Sequence, residues 1–353
     1  MVLMGDKQIG DGHPVFIVFE AGPTHDSIES AKELAKHAAD AGADAVKFQV
    51  LDPERLVPDR TQPFSYDILI DRETGKTKTV SEPLYDILMR RYLTFDQWKE
   101  VKEYCDSLGI QFFSTATFHD EVDFLVDMGV DTIKICSGDV NYYSFIRYCA
   151  KKRVSIQLDT GNATIGEVER AVDEVLKTGN NRIIIHNCPS GYPARLESIN
   201  LRIIPTLKKM FSCPVAFSDH TPGWEMDIAA IALGANMVEK TITMDRTTPS
   251  VEHMFSIEPD DMRKFVQSVR DLEKALGNSR RILAPEEREK GNGARRSLFL
   301  KEDVKKGEQI QESFIEFARP GAGLKPSMID SILGRRFSKD LKQGQMLDLG
   351  DIE

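Results

Sequence analysis

Short hydrophobic runs rich in β-branched and aromatic residues alternate along the chain with longer stretches of helical periodicity. Each run ends in polar side chains and is followed by a helical stretch, which is the pattern of a βα unit. The pattern predicts eight strands, at 15–20, 44–49, 111–115, 132–137, 154–159, 182–187, 215–219 and 237–241.

Helical stretches follow these runs at regular intervals. Glycines such as Gly42 and Gly109 stand where a helix would end in left-handed backbone before the next strand. The predicted helices are 27–41, 95–108, 118–128, 143–151, 165–177, 201–210, 226–233 and 259–276.

Eight strand–helix repeats predict a closed parallel (β/α)₈ barrel, the TIM barrel, within the α/β class. An open doubly wound sheet is not favoured, because the chain contains no GxGxxG or GxxxxGK[ST] motif. Residues 51–94, which follow the second predicted strand, form a long insertion. We expect a functional loop there, although no single residue in it can be assigned a role.

The composition and periodicity of the sequence change near residue 280. Residues 281–293 are densely charged and lack a sustained period, which predicts a linker. Short runs broken by Lys306-Gly307 and Gln343-Gly344 follow. We therefore expect a barrel over 1–280, a linker over 281–293 and a small β-rich domain over 294–353.

Composition and charge exclude several classes of protein. The chain has 353 residues, of which 41% are hydrophobic and 29% charged, and its formal net charge is −10. This charge disfavours nucleic acid and anionic membranes as partners. No run is long enough to cross a bilayer, and residues 1–12 lack an apolar leader, so we expect a cytoplasmic protein. The five cysteines form no CxxC motif, which favours reduced core residues.

Polar side chains gather where the predicted strands end, which is where TIM barrels carry their chemistry. Two hydrophobic strands contain a lysine near the end, Lys47 in AVKFQ and Lys134 in TIKIC. Together with the hydroxyls of Thr115, Ser137 and Ser218, these two ammonium groups predict a site for a phosphate or carboxylate ligand.

The same two lysines have a second interpretation. A buried ammonium group needs an anionic partner, and Lys47 and Lys134 could pair with barrel carboxylates such as Glu20, Asp139 or Glu239. The anion-site hypothesis fails if the two amines point apart, or if each is paired with an acid of its own.

His220 follows the seventh predicted strand, beside an aspartate. A neutral imidazole in that position can bind a divalent metal. A surface or capping role is the alternative, since the spacing identifies no second ligand.

A series of motifs along the chain resembles, in order, those of the sialic acid synthase family, whose barrel is followed by an antifreeze-like (SAF) domain. The barrel motifs are FEAGPTH at 19–25, DAGADAVKFQ at 40–49, FFST at 112–115, IKICSGD at 133–139, CPSGYPA at 188–194, FSDHT at 217–221, ALGANMVEK at 232–240 and HMFSIEP at 253–259. The SAF motifs are RRSLFLKEDVKKGE at 295–308 and ARPGAGLKP at 318–326.

The resemblance implies a metal-dependent condensation of phosphoenolpyruvate with an aldehyde amino sugar of the N-acylhexosamine type. The products are a nonulosonic, sialic-acid-like 2-keto acid and phosphate. The resemblance also implies a divalent cofactor, Mn²⁺ or Mg²⁺, and a domain-swapped homodimer.

Site residues follow from the matched motifs. The phosphoenolpyruvate positions are Lys47, Gln49, Thr115, Lys134, Ser137 and Ser218, and the catalytic positions are Glu20, Lys134, Asp139 and Glu252. The sugar positions are Arg319, His25 and Tyr192, and His220 matches a metal ligand. In the swapped dimer, Arg319 reaches the sugar in the partner subunit's barrel.

Several departures from the family motifs fall on functional positions. Thr241 stands where the family has its second metal histidine, and a hydroxyl is a poor substitute for imidazole. The metal site could be rebuilt from His220 with Asp159, Glu239 or His253. Asp159 also replaces a serine next to the phosphate, where a carboxylate repels the ligand unless a cation intervenes.

Three explanations of these departures remain open. The first is a synthase acting on a different sugar. The second is a Schiff-base aldolase on the same barrel, using Lys134, Lys240 or Lys47 with a depressed pKa. The third is a homologue that binds a sugar or phosphate without converting it.

Overall fold

The chain divides into two units, Met1–Gly277 and Asn278–Glu353. The computed structural model describes residues 1–291 and 293–353. Its strands are β1 (Val2–Met4), β2 (Lys7–Ile9), β3 (Phe16–Glu20), β4 (Ala45–Gln49), β5 (Pro63–Asp71), β6 (Lys76–Pro83), β7 (Gln111–Thr115), β8 (Thr132–Ile135), β9 (Ser155–Asp159), β10 (Ile183–Asn187), β11 (Val215–Asp219), β12 (Met237–Thr241), β13 (Ser297–Leu300) and β14 (Ile315–Ala318). Its helices are α1 (Ile28–Ala41), α2 (Pro53–Leu56), α3 (Leu84–Arg90), α4 (Phe95–Leu108), α5 (His119–Asp127), α6 (Tyr143–Lys151), α7 (Ile165–Leu176), α8 (Leu196–Ile199), α9 (Ile203–Phe211), α10 (Glu225–Ala232), α11 (Pro259–Leu276), α12 (Pro285–Ala294) and α13 (Ile329–Ile332).

The first unit is a closed parallel barrel, as the sequence predicts. Eight strands surround its axis in chain order, β3, β4, β7, β8, β9, β10, β11 and β12. The barrel closes where β12 pairs with β3, with Thr241 opposite Glu20. The carboxyl ends of all eight strands therefore face one mouth.

Local sequence explains the regular elements of the barrel. The residues of β3 and β10 are buried on both faces, as expected for parallel strands covered by helices. Helix α1 buries Leu34 and Ala38 against the barrel and ends at Gly42, whose φ of 87° is left-handed. Strand β8 is shorter than predicted, because a 3₁₀ turn, Ser137–Asp139, takes over its end.

The insertion at 51–94 is ordered rather than a long loop. It consists of α2, an antiparallel hairpin of β5 and β6, and α3. Tyr66 and Ile87 from this segment pack in one apolar cluster with Val251, which follows β12. The insertion is thereby attached to the barrel mouth, and the prediction of a loop was wrong.

The second unit has its own core, with Leu298, Ile310, Phe337 and Leu347 fully or almost fully buried. Strands β13 and β14 pair antiparallel within it. Helix α12 occupies most of the segment for which the sequence predicted an irregular linker. Among the residues described, no helix is both long and apolar enough to span a bilayer.

Candidate active site

A cavity of about 310 Å³ opens at the carboxyl ends of the barrel strands. Its size lies at the lower end of the range for small-molecule sites. The barrel supplies a polar floor, and the insertion supplies an apolar wall that includes Phe64 and Ile87. The predicted site residues that line it are Glu20, Lys47, Gln49, Thr115, Lys134, Ser137, Tyr192, His220 and Glu252.

Two lysines and three carboxylates form a buried cluster at the floor. Lys47 Nζ lies 2.9 Å from Glu239 Oε1 and also contacts Glu20. Lys134 Nζ lies 2.7 Å from the same Glu239 oxygen and 3.0 Å from Asp159 Oδ1. The two amines therefore converge on one shared acid. The amines do not point apart, but each also pairs with an acid of its own, Glu20 for Lys47 and Asp159 for Lys134, so the second condition against an anion site is met in part.

The charges of the cluster do not balance when every group is ionised. Burial would raise the pKa of Glu239, but Lys134 and Lys47 outweigh it and lower that pKa. Burial raises the pKa of Asp159 and of Glu20 in spite of their lysine partners. Glu239 therefore stays ionised, whereas Glu20 and Asp159 are the two carboxylates that can take up a proton.

A chain of hydrogen bonds beneath the cavity fixes Lys134. Its ammonium donates to Ser218 Oγ at 3.0 Å, and Ser218 lies 2.8 Å from His186 Nδ1. His186 Nε2 lies 2.7 Å from Gln157 Oε1, which can only accept, so the proton of the ring belongs on Nε2. Burial lowers the pKa of His186 well below its usual value, which matches a neutral ring. Ser218 therefore positions Lys134 and does not itself line the cavity.

Hydroxyl and amide groups surround the lysines. Gln49 and Thr115 are paired in register at the ends of β4 and β7. Ser137 projects from the 3₁₀ turn, and a Cβ on Gly161 would lie 2.5 Å from Ser137 Oγ, so only glycine fits there. Asp139 does not line the cavity: it accepts a hydrogen bond from Cys136 Sγ at 3.2 Å, and burial raises its pKa.

Glu252 and an aromatic group occupy the side of the cavity next to the insertion. The backbone of Glu252 has a φ of 72°, a strained value for a residue with a side chain. Burial, followed by the charge of Glu20, raises the pKa of Glu252 to about 7. The rings of Tyr192 and His220 lie 4.9 Å apart. A carboxyl group that titrates near neutrality is suited to proton transfer.

The donor set for a divalent metal does not fit. His220 lies across the β11–β12 register from Thr241, since the residues before them, Asp219 and Lys240, are paired. The proposed replacements are committed elsewhere: Glu239 and Asp159 hold lysines, and His253 lies 2.7 Å from Thr243 Oγ1. Within the described ranges, no three His, Cys, Asp or Glu residues could together hold a metal ion.

Two further candidates of the first unit lie outside this cavity, and a third belongs to the second unit. His25 faces the backbone oxygens of Ala21 and Arg91, and burial lowers its pKa to about 4, so the ring is neutral and structural. Lys240 is buried against Asp219 outside the cavity. Arg319 belongs to the second unit, where it follows β14.

Sequence reasoning missed Arg91, which lines the cavity. It immediately follows α3, within the insertion. Basic residues are common at helix C-termini, because they interact favourably with the helix dipole. The position of Arg91 in the sequence therefore does not indicate a binding site.

Comparison with known proteins supports the assignment of the fold and identifies the family. The sequence profile of the NeuB family matches residues 34–281, and that of the SAF domain matches residues 295–353. The chain is 34% identical to N,N'-diacetyllegionaminic acid synthase from Legionella pneumophila, over 97% of this chain and 96% of the relative. It is 32% identical to pseudaminic acid synthase from Campylobacter jejuni, over 96% and 97%. The crystal structure of N-acetylneuraminic acid synthetase from Leptospira borgpetersenii, solved with citrate, matches with a TM-score of 0.70 at 28% identity, over 82% of this chain and 94% of that one.

Proposed function

The chain belongs to the NeuB family, and we propose that it condenses phosphoenolpyruvate with an aldehyde amino sugar of the N-acylhexosamine type. The products are a nonulosonic 2-keto acid and phosphate. The observation that carries the proposal is the convergence of Lys47 and Lys134 on Glu239 at the floor of the cavity. Relatives named for legionaminic and pseudaminic acids make an acceptor other than N-acetylmannosamine a natural choice.

The reaction balances without an external oxidant or reductant. C3 of phosphoenolpyruvate attacks the aldehyde carbon and forms the new carbon–carbon bond, while the aldehyde oxygen takes up a proton. Water adds at C2 and gives up a proton. The bond between C2 and the bridging oxygen then breaks, the C2 hydroxyl gives its proton to the leaving phosphate, and the ketone and phosphate are released.

The residues of the cavity can perform these steps in separate roles. Lys47, Lys134 and the hydroxyls of Thr115 and Ser137 hold the anionic groups of the donor. Glu252, with its pKa of about 7, donates the proton that the aldehyde oxygen needs. Glu20, which burial makes more basic, accepts the proton from water.

No step in this scheme is assigned to a divalent metal, because the donor set around His220 does not fit one. The metal dependence implied by the sequence resemblance is tested by turnover with and without Mn²⁺. A metal requirement would mean that substrate atoms complete the coordination of His220.

The Schiff-base alternative is not favoured. A lysine nucleophile needs a depressed pKa. Burial would lower the pKa of Lys134 and of Lys47, but the neighbouring carboxylates outweigh it and raise both. The third candidate for this role, Lys240, lies outside the cavity.

We extend the proposal to a cytoplasmic homodimer in which Arg319 of one subunit completes the sugar site of its partner. The resemblance to the sialic acid synthases and the SAF profile match support this part of the proposal.

A phosphate-release assay with phosphoenolpyruvate and a panel of N-acylated aldoses, with and without Mn²⁺, tests the function. Phosphate release that requires an aldose supports it. Lys134→Met should abolish the release, whereas Lys102→Met, which alters an exposed pair with Asp106 on α4, should not. A ligand-dependent rise in melting temperature, without phosphate release in the presence of any aldose, would instead identify a binding protein.

A further inference from the structure

Arg91 brings a cation to the cavity that the described residues do not neutralise. Its Nε and Nη1 atoms are buried and have no hydrogen-bond partner in the described part of the chain. The preceding residue behaves differently: Arg90 donates two hydrogen bonds to Glu82, at 2.7 and 2.6 Å. Of these two adjacent arginines at the end of α3, Arg90 is therefore paired with a carboxylate, whereas Nε and Nη1 of Arg91 have no partner.

A buried guanidinium without a partner is costly, because it has lost its hydration and gained no hydrogen bond in return. Desolvation accordingly lowers the pKa of Arg91, although Glu252 and Glu20 act against it. A ligand that supplies an anion at this point would remove the cost. Planar guanidinium groups bind carboxylate and phosphate oxygens through two parallel hydrogen bonds.

The other two cations of the cavity, Lys47 and Lys134, have carboxylate partners within the protein, unlike Arg91. Lys47 and Lys134 face three carboxylates, so the floor carries more acid than base. The carboxylates that act most on Lys134 are Asp159 and Glu239, whereas those that act most on Arg91 are Glu252 and Glu20. Arg91 and Lys134 thus serve different parts of the cavity.

We infer that Arg91 binds an anionic group, a carboxylate or a phosphate, carried by the acceptor sugar. This inference rests on the proposed function, which places the donor on the lysines. Glu252 lies on the same side of the cavity as Arg91, next to the aldehyde that it protonates. The insertion therefore selects the acceptor by charge.

The direct test compares acceptors that differ only in charge. An N-acylhexosamine, its 6-phosphate and the corresponding uronic acid are assayed with wild-type protein, Arg91→Gln and the matched control Arg90→Gln. Wild type should prefer one anionic acceptor in kcat/KM by about tenfold or more, and Arg91→Gln should reduce that preference to near one. The 6-phosphate and the uronic acid distinguish which anion is bound. Arg90→Gln should keep the wild-type preference.

Three results would overturn the inference. They are a wild-type preference for the neutral sugar, an unchanged preference in Arg91→Gln, and an effect of Arg91→Gln confined to the KM for phosphoenolpyruvate. Misfolding is not an expected complication, because the variant removes an unpaired buried cation, so its Tm should equal or exceed that of wild type.

Binding of inorganic phosphate separates this inference from the proposed function. The three proteins are compared in a Lys134→Met background, which weakens the donor's own anion site. Calorimetric titration with phosphate and with acetate should show about tenfold weaker binding of one of these anions when Arg91→Gln is present, and no change with Arg90→Gln. If no aldose is converted but this difference is present, the anion site stands and the synthase activity does not. If phosphate and acetate each bind all three proteins equally in that background, the site at Arg91 is wrong whether or not the enzyme is active.

Discussion

Lys47 and Lys134 are joined through a single oxygen atom, Glu239 Oε1, which lies 2.9 Å from one amine and 2.7 Å from the other. Strands from three parts of the barrel, β4, β8 and β12, supply the three side chains. Because one carboxylate cannot fully neutralise two ammonium groups, the pair keeps the capacity to hold a second anion. In the free protein, Glu20 pairs with Lys47 and Asp159 pairs with Lys134, in the place of that second anion.

Replacing Asp159 with serine should improve donor binding. The cluster then contains two acids and two lysines, and Lys134 keeps Glu239 as its partner. We expect the KM for phosphoenolpyruvate to fall severalfold, with the largest effect at alkaline pH, where the carboxyl of Asp159 is ionised. Steady-state kinetics across pH measure this. A rise in KM would show that Asp159 assists donor binding.

The pH profile of turnover should show a decrease on the alkaline side that is caused by ionisation of Glu252. Its pKa is raised to about 7, and the proposed role requires the protonated form, so turnover should fall as pH rises through about 7. The kcat profile of Glu252→Gln should lack this decrease and lie well below that of wild type. An unchanged decrease in the variant would assign the titration to another group.

The same carboxyl should also affect stability. A folded-state pKa above the ordinary value of 4.5 means that ionisation opposes folding, so wild type should lose stability between about pH 4.5 and pH 7. The loss is at most about 3 kcal/mol. Denaturant unfolding at pH 5 and pH 8 should show a smaller decrease for Glu252→Gln. Equal decreases in the two proteins would contradict the shift.

Thr241→His should strengthen the binding of a divalent metal next to His220. The register of β11 and β12 places residue 241 beside His220, and two imidazoles bind Mn²⁺ better than one imidazole and a hydroxyl. Electron paramagnetic resonance of Mn²⁺ should show tighter binding to the variant than to wild type. The double variant with His220→Ala is the control, and it should lose the gain.

Arg319→Ala should lower turnover while both units remain folded. The expected loss is about tenfold or more, for removal of a charged hydrogen-bond donor to substrate. Mixing this variant with Lys134→Met should restore part of the activity, because one site of each mixed dimer is then intact. Full activity of Arg319→Ala, or no recovery on mixing, would contradict the swapped arrangement.

The barrel and the floor of its site could be predicted from sequence, because both depend on local signals. The runs ending at Lys47 and Lys134 are apolar enough that a lysine within them is conspicuous. The hairpin of β5 and β6 could not be predicted, because exposed Lys and Thr residues such as those in Lys76–Pro83 give no apolar alternation.

Other features depend on contacts between distant segments. His25 occurs in a matched motif, yet the rings of Phe48 and Trp98, from β4 and α4, enclose it. Arg91 stands out only in the structure, because two of its guanidinium nitrogens are buried without a hydrogen-bond partner in the described part of the chain. The sharing of Glu239 depends on barrel closure, which no single motif encodes.

In the proposed reaction, phosphoenolpyruvate is cleaved between C2 and its bridging oxygen after the carbon–carbon bond has formed. Phosphoenolpyruvate labelled with ¹⁸O at the bridging position, turned over with the preferred acceptor and analysed by mass spectrometry, tests it most directly. The label is predicted to appear in phosphate, in a one-to-one ratio with the new 2-keto acid. Label retained in the keto acid, or phosphate formed without that acid, would contradict the account.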